Sequence, residues 1–198
     1  MSMITLSLLL LLLSAQDPPP YSLSAPQGWG RERMEFPLGF AKDLDHKGVE
    51  ELRFAPGMFK AEAADYFSYA FMMWLDGTVS FEPQALEKDL TKYYKGLCAS
   101  VAASRKLELD LTRISVKVER QEKKGRLGGE EADVCHARID WYDPFVTGKP
   151  LTLHLELWSR RADGGKRSCL FAIASPKEKS AAIWTALRKI QEDFTCPK

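Results

Sequence analysis

Cys135-His136-Ala137-Arg138-Ile139-Asp140-Trp141, followed after a short break by Leu151-Thr152-Leu153-His154-Leu155-Glu156-Leu157, alternates apolar and polar side chains throughout. A period of two is the signature of strands half buried against a core. Asp143-Pro144 and Gly148-Lys149-Pro150 mark the turn between the two runs. Antiparallel pairing with Trp141 opposite Leu151 sets Ile139 against Leu153 and Ala137 against Leu155. The same register puts His136 opposite Glu156 and Arg138 opposite His154.

Further strands flank this hairpin. Ile114, Val116 and Val118 alternate before it, and Ala162-Asp163-Gly164-Gly165 turns out of it into Ser168–Ala174. Together they form a four-strand meander. From Glu82 the period lengthens: Leu86, Leu90, Tyr93, Tyr94, Leu97 and Val101 recur at helical spacing. Ser80 can cap that helix, Pro83 suits its first turn, and it should end near Ser104.

Three strands precede the helix. Met34, Phe36 and Leu38 alternate along an edge strand that tolerates Pro37. Glu50–Phe54 is a short strand ended by Ala55-Pro56-Gly57. Tyr66–Leu75 is apolar in both parities, as in a strand covered on two faces or a buried helix. Its aromatic residues and the Asp76-Gly77 stop favour the strand.

A last helix, from about Lys177 to Phe194, carries Ile183, Leu187, Ile190 and Phe194 on one stripe. The small Ala172 and Ala174 would let it lie close to the sheet. The order predicts an α+β fold with a largely antiparallel sheet: three N-terminal strands, a helix, a four-strand meander and a C-terminal helix. Both helices are expected on the leucine face.

The 198 residues suit one domain, 31–198, behind a short appendage. Leu6–Leu13 is a leucine run too short to span a bilayer, and Ser14-Ala15 supplies small residues for cleavage. Residues 1–15 therefore read as a secretory signal peptide and 16–30 as a flexible arm, with Trp29 its first packed residue. The mature chain is expected to be secreted or periplasmic, with no membrane span. Lys and Arg (28) nearly cancel Asp and Glu (27), which argues against a nucleic-acid partner.

Export lets the four cysteines form disulfides. Cys169 opens a strand, and a helix running back over that strand returns Cys196 to its start, so Cys169–Cys196 is the expected bridge. Cys98 and Cys135 are left as a second pair or as buried thiols. Four reduced core cysteines are the alternative.

Two functional readings follow. Tyr66, Phe67, Tyr69, Phe71 and Trp74 crowd five rings into nine residues, a composition that binds apolar ligands or proteins when it lines a concavity. Trp158, among Thr152, His154 and Glu156 on the polar sheet face that also carries Arg138, offers a second contact surface. Tyr66, Tyr69, Trp74, Trp158 and Arg138 are thus the candidate binding residues of a non-catalytic module for a small molecule or a protein, without a cofactor.

The alternative is a metal-assisted or histidine-based hydrolase. His136, His154 and Glu156 converge on one face, two imidazoles and a carboxylate able to share a divalent metal or hold a general base. Arg138 opposes a metal there. No nucleophile elbow, zincin motif, phosphate loop or dinucleotide fingerprint occurs, so the reading leans away from an enzyme.

Overall fold

The computed structural model describes residues 19–198. The signal peptide expected over 1–15, and residues 16–18 of the arm, lie outside the described residues. In chain order the elements are β1 (Gly30–Glu35), β2 (Gly48–Phe54), β3 (Tyr69–Asp76), α1 (Pro83–Arg105), β4 (Ser115–Arg120), β5 (Gly125–Leu127), β6 (Glu130–Tyr142), β7 (Pro150–Ala162), β8 (Arg167–Ser175) and α2 (Ala182–Glu192). The strands form one sheet in the order β1-β2-β3-β8-β7-β6-β4, with β5 as a short flap paired to the start of β6. Every pairing is antiparallel. The fold is α+β.

The β6–β7 hairpin takes the register its alternation dictates. Trp141 faces Leu151, Ile139 faces Leu153, Ala137 faces Leu155, His136 faces Glu156 and Arg138 faces His154. A slip of one residue would carry every leucine to the other face, so hydrophobic burial fixes the pairing. Leu153, Leu155 and Leu157 are buried accordingly.

The two helices do not share a face. Leu86, Leu90, Tyr93 and Tyr94 of α1 pack with the leucines of β7 and with Phe71 and Met73 of β3. Trp184, Leu187 and Ile190 of α2 pack instead with Met72 and Trp74 of β3 and Phe171 and Ile173 of β8. The reason lies in the sheet centre. β3 and β8 are adjacent and apolar in both parities, so each needs cover on both sides. Ala172 and Ala174 face α1, and α2 meets the opposite parity.

Element ends also move. β1 runs earlier than the Met34–Leu38 alternation implies, although it is an edge strand. Glu82, not Ser80, is the N-cap of α1, and the Ser80 hydroxyl accepts a bond from the Glu82 amide at 3.4 Å. α2 starts at Ala182 rather than Lys177, because Lys177 and Ala181 are held in turns by Ser175 and Glu178.

The arm is packed well before Trp29. Tyr21 and Leu23 are buried beside α2, Ser22 exchanges backbone bonds with Thr195, and the Arg53 guanidinium donates to the Leu23 carbonyl at 2.8 Å. No helix among the described residues is long and apolar enough to cross a membrane.

Candidate functional site

β1 is Gly-Arg-Glu-Arg-Met-Glu, and strand alternation sorts its side chains. Arg33 turns to the α2 side, where it bonds Glu51 at 2.8 Å and Tyr21 at 2.6 Å. Glu32 and Met34 turn to the α1 side, beside Leu52 and Phe54 of β2. There they form one wall of a cavity of about 280 Å³. Tyr93 and Leu97 of α1, with Phe40, form another wall. The remainder comes from Met58, Phe59 and Phe67 of the β2–β3 loop, Tyr69 of β3, and Phe145. Phe59 is 53% exposed and stands where the cavity meets solvent.

The loops are fixed by polar anchors. The Asp143 carboxylate accepts from the backbone amides of Phe145, Val146 and Thr147 and from the Tyr66 hydroxyl at 2.5 Å. Burial would raise the Asp143 carboxyl, but these donors outweigh it and hold the group below the usual range. Asp65 accepts from the Gly57 amide at 2.9 Å. A Cβ on Gly57 would lie 2.0 Å from that carboxylate, so the turn requires glycine.

Behind the cavity is a buried polar cluster. The Tyr69 and Tyr94 hydroxyls share a 2.5 Å hydrogen bond, and burial pushes both phenols up. Tyr93 donates to Glu50 Oε1 at 3.0 Å. Glu50 is completely buried, and its Oε2 has no hydrogen-bond partner among the described residues. Burial pushes its carboxyl up to about 8; the Tyr93 hydrogen bond opposes the shift and the nearby Glu32 charge adds to it.

The candidate residues separate. Tyr69 lines the cavity, and Tyr66 orders its Phe145 wall through Asp143. Trp74 has the opposite parity from Tyr69 and packs on Tyr21, with ring centroids 5.5 Å apart. Trp158 is half-buried against Phe171 rather than exposed. Arg138 bonds Asp140 at 2.7 Å.

His136 and Glu156 are cross-strand partners, yet the carboxylate is occupied by cations. Arg188 donates to it at 2.7 and 3.1 Å, and Lys179 at 2.8 Å. Against the upward push of burial, these donors hold Glu156 below its ordinary value. Burial and the Lys179 charge push both His136 and His154 below the usual imidazole range. His136, His154 and Glu156 therefore sit in a cationic patch, a poor place for a divalent ion. Among the described residues no group of three or more His, Cys, Asp or Glu is arranged to hold a metal.

Sequence alternation could have found Glu32 and Glu50, since both share the parity of Leu52. The Phe59 and Phe145 walls carry no such signal, because they come from loops.

All four cysteines are free thiols. Cys169 and Cys196 are nevertheless close enough for each thiol to shift the other's ionisation. Arg160, opposite Cys169 on β7, donates to Cys196 Sγ at 2.9 Å.

No family model matches the chain, and no curated protein matches it. Among solved structures, it is similar to the crystal structure of LpqN, involved in cell envelope biogenesis of Mycobacterium tuberculosis. The identity is 12%, the match covers 90% of this chain and 86% of that one, and the TM-score is 0.36. A likeness of that order carries no functional argument.

Proposed function

We propose that the protein is an exported, non-catalytic module that binds a small apolar molecule in the cavity between α1 and the β1–β2 edge. The observation that carries this reading is the cavity itself: about 280 Å³, walled chiefly by aromatic and aliphatic side chains, and open beside the exposed Phe59. Its volume is at the small end for ligand sites, which suits a single ring or a short alkyl chain. Export rests on the leucine run and small residues of the N-terminus. In an oxidising compartment the adjoining Cys169 and Cys196 thiols close into a disulfide.

Leu97 lies on the α1 wall, half-buried and away from the Glu50 cluster. The change Leu97→Trp fills the cavity from that wall. A neutral single-ring probe such as ethylbenzene should bind the native protein in a calorimetric titration. Its affinity should fall at least tenfold in Leu97→Trp, at an unchanged melting temperature. Equal binding by both proteins would place the probe elsewhere and refute the reading.

A further inference from the structure

Among the described residues the cavity lining holds one charged side chain, Glu32, and it is an acid. The arginine next to it on β1, Arg33, points to the other face and is engaged by Glu51 and Tyr21. Across the β1–β2 pair, Glu32 is opposite Leu52 and Glu50 is opposite Met34. Glu32 and Glu50 are therefore diagonal neighbours on one sheet face, with Cβ atoms roughly 7 Å apart. Met34 and Leu52, which complete that square, both line the cavity, and so does Tyr93, the hydrogen-bond donor to Glu50. Glu50 therefore lies behind the cavity wall, next to three residues of its lining, at the inner end of a line that starts with the exposed Glu32 at the rim.

A buried carboxyl oxygen without a partner is costly, and the structure retains one beside a space of ligand size. An anionic ligand would set a second negative charge beside Glu32 and against a Glu50 carboxyl that burial already keeps from ionising. A neutral ligand leaves the two acids facing each other. A ligand with a cationic end offsets the Glu32 charge, and its N–H groups supply the donor that Oε2 lacks.

We infer, building on the binding reading above, that the ligand is an apolar amine whose ammonium group sits between Glu32 and Glu50 and whose hydrocarbon part fills the aromatic cavity. The selectivity is for charge type. Bringing a cation against Glu50 favours its ionised form, and the completed pair is then enclosed by Tyr93 and Met34. The cavity rejects fatty-acid anions, because no basic side chain among the described residues lines it.

The test compares n-octylamine, n-octanol and n-octanoate, one chain with three heads, by calorimetric titration into the folded mature chain at neutral pH. Octylamine should bind about tenfold tighter than octanol, and octanoate at least tenfold weaker than octanol. In Glu32→Gln and in Glu50→Gln the amine-to-alcohol ratio should fall towards one. Octanol binding in each variant reports whether the cavity is still formed, so loss of fold cannot imitate loss of charge selectivity. Octylamine no tighter than octanol, octanoate binding best, or a ratio intact in both variants would overturn the amine assignment while leaving an apolar site. No binding by any of the three, together with no response from the neutral probe, would overturn the binding reading itself.

Discussion

Glu50 is a carboxyl group placed where water cannot reach, with only Tyr93 donating to it. Glu32 faces it from β1, and Met73 is its neighbour on β3. In the unfolded chain it loses its proton near pH 4.5, and in the folded protein it keeps it to about 8. Between those values the native state binds more protons than the unfolded one, so stability falls as pH rises from about 4.5 through 8 and then levels off. A gap of that size corresponds to at most about 4–5 kcal/mol at pH 8, and relaxation of the surroundings reduces it. Glu50→Gln removes the titration. The variant should match the native protein near pH 5 and exceed it at pH 8 by about 2 kcal/mol, or roughly 4–8 °C in melting temperature. Equal melting temperatures at both pH values would mean that Glu50 ionises freely and is not enclosed.

At the scale of elements, the β6–β7 hairpin was legible because one periodicity decided everything. Its leucines could reach the core in one register alone, and the cross-strand pairs followed. Helix placement was harder to read. Ala172 and Ala174 look like a bed for a helix, but Cys169, Phe171 and Ile173 on the other parity of β8 are just as apolar. Small residues on one parity signal how closely something packs there. They do not say which helix it is. The large Trp184 packs on the opposite parity, where Lys179 lies over its ring at 3.6 Å.

The return of the C-terminus depended on lengths and survived the change of face. A strand rising about 3.3 Å per residue and a helix rising about 1.5 Å per residue bring Cys196 back to Cys169 on either side of the sheet. The neighbouring Cys169 lowers the Cys196 thiol pKa, with Arg160 acting in the same direction against burial. Cys196, the less buried of the two thiols and the one beside Arg160, is therefore expected to attack first. Its thiolate attacks a small-molecule disulfide and expels one thiolate. Cys169 then loses its proton and displaces the second from the mixed disulfide. Peptide mapping of protein exposed to oxidised glutathione should find Cys169 joined to Cys196, with a stability gain of roughly 3 kcal/mol for a loop of about 26 residues. Cys98 and Cys135 lie buried on the α1 side and should remain thiols. Free Cys169 and Cys196 after that treatment would contradict the pairing.

For the whole molecule, the central sheet strands are covered on both faces, and the two faces do different work. The α2 face is closed by the docked arm, the Tyr21–Glu51–Arg53 network and the cations on Glu156. The α1 face holds the cavity. Sequence reading reached the aromatic run but could not separate Tyr69 from Trp74 without knowing which parity faced which helix. Nor could it assemble a cavity whose walls come from β1, β2, β3, α1 and three loops far apart in the chain. The His136, His154 and Glu156 convergence was correct in register, but Lys179 and Arg188 reach it from outside the hairpin. The most direct test of the account is a heteronuclear NMR titration of the folded chain with n-octanol, the neutral member of the series. The account predicts shift changes confined to Met34, Leu52, Phe54, Tyr93 and Leu97, with Trp158 and Lys179 unmoved. Changes centred on Trp158 and Lys179, or none at saturating alcohol, would contradict it.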